Sequence, residues 1–243
     1  MNSKKYFHQI LALLKNTVFT RVYLAETISL LGDAFTWVGL ALVAYQISKE
    51  NSATILSVAL TLRVITYFVF APAAGVLADR FNRKTIMVIC HIGRMLTVGL
   101  LPFIEAVWQI YGLIFLLNFF NAVFMPSYKA VLTGSVDKKD FPKANALSST
   151  TYQLLGKMGH GIAGGIAGLI GARQIFFIDA ATYLIAGILI LMLPYRHIKK
   201  SINAKKEQPQ TNWQNLKKGT VTIFSNPRIR FAVIMKMVAA FAG

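Results

Sequence analysis

The sequence predicts an all-α polytopic membrane protein, and three observations support this prediction. Of 243 residues, 55% are apolar and 14% are charged, whereas about a quarter of the residues in soluble domains carry charge. The segment from Ala106 to Tyr128 contains no Asp, Glu, Lys or Arg, and a helix of about 20 such residues crosses a bilayer. Similar apolar segments recur along the chain, separated by short or basic connections.

Six apolar segments are long enough to form transmembrane helices. They cover residues 22–47, 53–78, 85–104, 107–128, 144–170 and 174–194. We therefore predict a six-helix bundle over residues 1–194, a basic linker over 195–230, and the start of a seventh helix over 231–243. The seventh helix ends almost as soon as it begins, which favours a truncated product or fragment.

The linker contains apolar residues at helical spacing, which predict a short amphipathic helix lying along the inner leaflet. These residues are Trp213, Leu216, Thr220 and Phe224. A solvated linker with incidental apolar residues is the alternative.

Lys and Arg orient the chain, because positive residues are retained on the cytoplasmic side of a membrane. The N-terminus and the connections after the second, fourth and sixth helices are basic, with nine Lys and Arg in residues 195–230. The connections on the other side hold only Lys49 and Arg173. We predict a protein of the cell membrane whose N-terminus and linker are both cytoplasmic.

Composition also excludes several classes of function. The net charge of +17 does not indicate nucleic-acid binding, because the basic residues lie between apolar segments and not on one hydrated face. The four histidines are scattered and no His-Glu-x-x-His motif occurs, so no metal site is predicted. No nucleotide-binding motif or intramembrane aspartyl protease motif is present either. Neither an enzyme nor a bound cofactor is expected.

The connection between the second and third helices carries the most specific motif. Residues 75–84 read Gly-Val-Leu-Ala-Asp-Arg-Phe-Asn-Arg-Lys, which resembles the signature loop of the major facilitator superfamily, G-x-L-A-D-R-x-G-R-K. Asn82 replaces a glycine, and the change is expected to be mild because Asn tolerates a left-handed turn. A merely basic loop explains the arginines but not Gly75 and Asp79.

The resemblance implies a gating role for this loop. In the family the glycine lets two helices pack closely, and the aspartate and arginines form an ion pair against the other half of the transporter that keeps the cytoplasmic side closed. The residues expected to gate are Gly75, Asp79, Arg80, Arg83 and Lys84.

Weaker resemblances point to the drug- and siderophore-exporter branch, which includes macrolide efflux proteins and the enterobactin exporter. They are residues 27–33, Pro126 with Lys129, residues 144–147, and Gly219. Residues 156–165 resemble a degraded antiporter motif, with His160 and Gly161 at its central positions. Four glycines there give a smooth helix face for close packing, and packing is at least as well supported as coupling. They are Gly161, Gly164, Gly165 and Gly168.

Ionisable side chains inside the membrane are costly, so each needs a partner or an aqueous cavity. Four of them lie near the middle of their helices, and Glu26 lies on about the same face of its helix as Asp33. Together they form a candidate proton or substrate pathway, namely Glu26, Asp33, Arg63, Arg94 and Lys157. Asp33 is the best proton carrier, because a buried carboxyl can titrate and an arginine cannot. A permanent ion pair of Asp33 with Arg63 or Arg94 is the alternative.

Three further membrane residues are interpreted as mainly structural. Asp179 lies near the start of the sixth helix, where the helix dipole favours an anion, so we expect an interfacial structural role. His91 and His160 are expected to be packing residues, with proton relay as the alternative.

These observations predict a secondary active exporter of drugs or siderophore-like molecules, driven by protons. Its expected partners are a small-molecule substrate, protons, the lipid bilayer, and a missing C-terminal six-helix half or a second copy. A half-transporter acting as a dimer, or with a separate energising subunit, is the alternative. We expect the chain alone not to transport.

Overall fold

A computed structural model of the chain describes residues 13–194, together with Ser225, Phe231 and Met235. Six α-helices occupy the continuous part: α1 Thr17–Ile47, α2 Ser52–Arg80, α3 Arg83–Leu100, α4 Val107–Gly134, α5 Phe141–Ile170 and α6 Ile175–Leu191. A 3-10 turn, Leu101–Phe103, extends α3. The predicted amphipathic linker helix lies outside the described residues, and the predicted seventh helix is described only at Phe231 and Met235, both helical.

Local chemistry sets the helix ends. The Asn16 side chain accepts hydrogen bonds from the backbone N–H groups of Val18 and Phe19, at 3.0 and 3.2 Å, and so caps α1. The predicted start at residue 22 was therefore too late. Helix α5 ends at Gly171, whose φ of 100° suits glycine.

Four helices in residues 13–194 are long and apolar enough to span a membrane, namely α1, α2, α3 with its 3-10 extension, and α4. Helix α5 has sufficient length, but its polar first half and Lys157 lower its apolarity. Helix α6 is strongly apolar but has only 17 residues, and about 20 are needed to cross the hydrocarbon core.

Helices α1, α3, α4 and α6 each pack against at least two other helices. Helix α1 packs against α5 and α6, α2 packs against α4, and α3 contacts both α4 and α6. Two large apolar clusters fill the bundle, one around Phe19, Met87 and Phe124 and the other around Leu40, Val98 and Phe176.

Side-chain hydrogen bonds show which connections share an end of the bundle. Asn16, before α1, donates to the carbonyl of Ser135, after α4, at 2.6 Å. Lys84, at the start of α3, donates to the carbonyl of Leu193, after α6, at 2.7 Å. At the opposite end Arg173 donates to the carbonyl of Pro102 at 2.7 Å. The basic connections therefore share one end, as the hairpin pattern predicted.

Candidate functional site

Polar side chains form a charged layer between the two apolar clusters, which we define as Asp33, His91, Arg94, Asn121 and Tyr183. They come from α1, α3, α4 and α6. Along α3, Arg94 lies between Cys90 of the first cluster and Val98 of the second. His91, Arg94 and Tyr183 are buried, so the layer lies in the interior of the bundle.

Arg94 is the centre of the charged layer and is only 3% exposed. Its Nη1 donates to Oδ1 of Asn121 at 2.9 Å, and its Nη2 lies 3.3 Å from Nδ1 of His91. Since an arginine only donates hydrogen bonds, His91 accepts through Nδ1 and carries its proton on Nε2. His91 is therefore a neutral positioning partner of Arg94.

Two aromatic rings lie close to the Arg94 guanidinium. Its central carbon lies 4.1 Å from the ring centroid of Phe124 and 4.8 Å from that of Tyr183. The negative faces of aromatic rings attract a cation, and the attraction is stronger where water is excluded. The rings thus stabilise a buried positive charge without a directly bonded carboxylate.

Asp33 is half-buried and accepts a hydrogen bond from the hydroxyl of Tyr183. Neither alternative ion pair is present, because no Asp33 ion pair occurs within 4.0 Å in residues 13–194. Arg63 instead lies over the ring of Trp37, 5.1 Å from its centroid. Tyr183 therefore stands between the carboxyl of Asp33 and the guanidinium of Arg94.

Glu26 lies two helical turns before Asp33 on α1 and is 8% exposed. Its Oε2 atom is buried and has no hydrogen-bond partner among the described residues. Glu26 and Asp33 are seven positions apart on α1 and therefore lie on about the same face of the helix.

The loop between α2 and α3 contains an ion pair. Arg83 Nη2 lies 3.7 Å from Asp79 Oδ1, and Arg83 is 3% exposed while the Asp79 side chain is 48% exposed. Arg83 Nε also donates to the carbonyl of Ala78 at 3.4 Å. Arg80 is exposed. The arginine is thus buried within the bundle while its aspartate faces outward.

Asn82 differs from the conformation expected for it. Its φ of −64° and ψ of 116° are extended, and its side chain accepts the backbone N–H of Lys84 at 3.0 Å. The expected left-handed turn is therefore wrong. Asn substitutes for glycine here because it caps α3.

The sequence profile of the Major Facilitator Superfamily matches residues 22–243. The chain belongs to the major facilitator superfamily. Among curated relatives it is 28% identical to the uncharacterized MFS-type transporter YfiS of Bacillus subtilis, over 76% of this chain and 44% of that protein. It is 27% identical to macrolide efflux protein A of Streptococcus pyogenes, over 72% and 44% of the two chains.

A third relative is the multi-drug resistance efflux pump PmrA of Streptococcus pneumoniae, which is 31% identical over 60% of this chain and 36% of the pump. The chain thus spans less than half the length of these three relatives. Family membership and the long apolar helices make this chain a multi-pass membrane protein of the facilitator superfamily.

Two expectations for this facilitator chain depend on close glycine packing, and the structure places both sets of glycines in open space. A Cβ added at Gly75, Gly161, Gly164, Gly165 or Gly168 would meet nothing within 4 Å among the described residues. None of these glycines makes a close contact among the described residues, so the helix packing predicted for them stays a prediction. Helix α5 instead uses Gly159, where an added Cβ would lie 2.9 Å from Cβ of Ala34.

Lys157 is not brought into the charged layer. It is exposed on α5 and forms no ion pair in the continuous part of the structure. His160, one turn later, is exposed and donates from Nδ1 to the carbonyl of Gly156 at 2.6 Å. His160 therefore bonds its own helix.

Asp179 is the functional candidate that the sequence undervalued. Its side chain is fully buried, and the interfacial role expected for it stays a prediction. It accepts hydrogen bonds from Thr36 on α1 and from Thr182 on α6, the latter at 3.1 Å. Its spacing from Tyr183, four residues apart on one face, was the available signal.

Proposed function

We propose that this chain is the N-terminal six-helix part of a proton-coupled exporter of small organic molecules. The observation that carries the proposal is Asp33, a half-buried carboxyl in the charged layer that has a hydroxyl partner and no ion pair among the described residues. Relatives named as macrolide and multi-drug efflux proteins support drug-like substrates.

Asp33 has the chemistry that proton coupling requires. A carboxyl can gain or lose a proton, whereas the guanidinium of Arg94 stays charged. The proton would neutralise Asp33 and thereby change the electric field at Arg94, since Tyr183 contacts both residues. A charged or strongly dipolar substrate near this layer would sense that change, which couples substrate affinity to protonation.

The wider pathway extends from Asp33 in two directions. Glu26 adds a second acid on α1, and Arg63 presents a cation over Trp37. Lys157 is exposed on α5 and would face any second six-helix bundle that completes the cavity. Substrate binding near the midplane between two such halves is the arrangement expected of secondary transporters.

The signature loop would control access to this cavity. We propose that Asp79 and Arg83 hold the cytoplasmic side closed by contacting the second half. The 3.7 Å ion pair orients Asp79, whose outward side is exposed. Gly75, Arg80 and Lys84 complete the proposed gate, with Gly75 as open surface for an incoming helix.

The second half is either a further six-helix segment or a second copy of this chain. In both cases we propose residues 195–230 as a cytoplasmic linker and 231–243 as the start of a transmembrane helix. Reporter fusions at the N-terminus and within the linker test the orientation, because both should report the cytoplasm. A fusion that reports the opposite side reverses the proposed topology.

Efflux of a panel of drugs and siderophores from cells tests the function. The 243-residue chain is compared with a version that continues into the downstream reading frame, each with and without a proton-gradient uncoupler. We expect efflux from the longer version, loss with the uncoupler, and at least about a tenfold loss with Asp33→Asn, equivalent to about 1.4 kcal/mol.

Asp137→Asn is the matched control, because it removes the same group from an exposed loop position and should leave efflux unchanged. Efflux that survives Asp33→Asn contradicts the assignment of the proton carrier. Efflux by the 243-residue chain alone contradicts the need for a further segment and favours a second copy.

A further inference from the structure

The interface between α1 and α6 holds two carboxyls, and the proposed function uses only one of them. We infer that Asp179 is a second proton-binding carboxyl whose charge is coupled to that of Asp33 across this interface. The inference rests on the proposed function in one respect, namely that proton binding is a step of transport.

The surroundings of Asp179 favour a neutral acid. The residue is 0% exposed, and its two hydrogen-bond partners are the hydroxyls of Thr36 and Thr182. No ion pair of Asp179 occurs within 4.0 Å in residues 13–194. A buried carboxylate without a paired cation is so unfavourable that the group takes up a proton instead.

Each of the two helices supplies a carboxyl that accepts a hydrogen bond from a hydroxyl of the other helix. Helix α1 supplies Asp33, which accepts from Tyr183 on α6, and α6 supplies Asp179, which accepts from Thr36 on α1. Each carboxyl therefore depends on a donor from the opposite helix. An Asp179 that served only to fix the helix pair would not need a second carboxyl beside it.

Gly32 brings the two carboxyls together. A Cβ at this position would collide with the carboxyl of Asp179 and the hydroxyl of Thr182, so the backbone of α1 lies directly against α6. Asp33 is the next residue along α1, and the two carboxyls act on each other electrostatically. The contact between helices thus fixes the distance over which the charges interact.

The titratable and charged groups that face the pair are Glu26 from α1, Arg63 from α2, His91 and Arg94 from α3, and Tyr183 from α6. Arg63 and Arg94 are the cations among them, and Arg94 is buried beside the rings of Phe124 and Tyr183. With Glu26, three carboxyls therefore face two cations. Ionisation of all three carboxyls would leave an excess negative charge in the interior, so Asp33 and Asp179 titrate as a coupled pair.

The two carboxyls differ in solvent exposure, and the inference therefore assigns them different roles. Asp33 is half-buried and can exchange its proton with the pathway, whereas Asp179 is sealed behind it. Asp179 keeps its proton when Asp33 ionises and loses it only at a higher pH. The pair therefore retains one proton over the pH range in which Asp33 titrates.

Infrared titration of the purified 243-residue chain in lipid tests the inference through the C=O stretching bands of protonated carboxyls. We expect Asp33→Asn and Asp179→Asn each to remove one band. In Asp33→Asn the Asp179 band should disappear at a pH lower by at least about one unit, because the competing negative charge is gone. In Asp179→Asn the Asp33 band should move less, since Asp179 is already neutral when Asp33 ionises.

Two results overturn the inference. One is an Asp179→Asn spectrum that loses no band, which would make Asp179 a permanent carboxylate. The other is an Asp179 band whose titration is unchanged in Asp33→Asn, which would make the sites independent. Asp137→Asn, in an exposed loop, is the control and should alter neither band.

Thr36→Val is a second variant that keeps both carboxyls, so the inference can still be tested if Asp179→Asn does not fold. It removes the donor on α1, so the Asp179 band should shift to the frequency of a less hydrogen-bonded acid while the Asp33 band stays in place. An unshifted Asp179 band contradicts the inference. Helical circular dichroism of each variant confirms that the bundle is intact.

The titration does not require transport, which separates this inference from the proposed function. Coupled bands in a chain whose extended version shows no proton-dependent efflux would refute the proposed function alone. Efflux that depends on Asp33, without a protonated Asp179, would refute this inference alone.

Discussion

The α1–α6 interface and the glycine-rich half of α5 both combine small residues with ionisable ones, yet their contacts differ. At the interface, Gly32 touches Asp179 and Thr182, and Gly39 touches Phe176. On α5, Gly161, Gly165 and Lys157 meet open space. The difference teaches that a small residue marks a close contact only where a partner helix is present. The glycine face of α5 has no such partner among the described residues.

The largest expected effect comes from filling the close contact. Gly32→Leu should destabilise the bundle by about 3 kcal/mol, because its side chain has no space beside Asp179 and the backbones must separate. Thermal unfolding in detergent measures the loss. Gly164→Leu is the matched control on the open face and should change the melting temperature little; equal losses at both sites would remove the distinction between the two faces.

A comparison of Arg94 with Lys157, two of the cations in the predicted membrane helices, should give the next largest effect. Arg94→Met should cost about 2 kcal/mol, because Asn121 and His91 lose their donor and become unsatisfied in the interior. Lys157→Met, on the exposed face of α5, should cost close to nothing. Denaturant unfolding of the two variants measures both losses, and a larger cost at Lys157 would place it in a contact that the described residues do not contain.

Removal of one hydroxyl should have a smaller effect. Tyr183→Phe keeps the ring against Arg94 but removes the donor to Asp33, and should cost about 1 kcal/mol. The same denaturant titration measures it, with Tyr111→Phe on the partly buried part of α4 as the control. A Tyr183→Phe variant as stable as the unmodified chain would show that this hydroxyl adds nothing to the α1–α6 interface.

The smallest expected effect lies outside the membrane. Lys143 donates to Asp140 at 2.9 Å, and this hydrogen bond holds the pKa of Asp140 below its usual range. The stabilisation is therefore present above the ordinary pKa of an aspartate and is lost as the pH falls through the lowered value. The melting temperatures of Asp140→Asn and the unmodified chain, measured over a pH series, should converge in acid. Melting temperatures that diverge in acid would contradict a stabilisation by the ionised Asp140.

The sequence predicted the helices well because long apolar segments and basic connections are local properties. All six predicted helices are present, and the hairpin alternation is confirmed by the contacts of Asn16 and Lys84. Helix ends were less accurate, since caps such as Asn16 and extensions such as α4 to Gly134 depend on neighbouring elements.

The candidate site was predicted in part. The structure places Tyr183 against both Asp33 and Arg94, and the sequence could not show this contact or the second ring, Phe124, beside Arg94. The burial of Asp179 could not be predicted for a physical reason. It depends on the close approach of α1 and α6 at Gly32, which is a property of the packed helices and not of either sequence segment.

Lys84 connects two parts of the chain that are more than 100 residues apart in sequence. Its ammonium group binds the carbonyl of Leu193, and Arg21 binds that of Met192 beside it, so two cations compensate the negative end of α6. The carboxyl end of α6 is thereby fastened to the signature loop. A displacement of the first turn of α3 would therefore pull on the end of α6 as well, although the two helices are far apart in sequence.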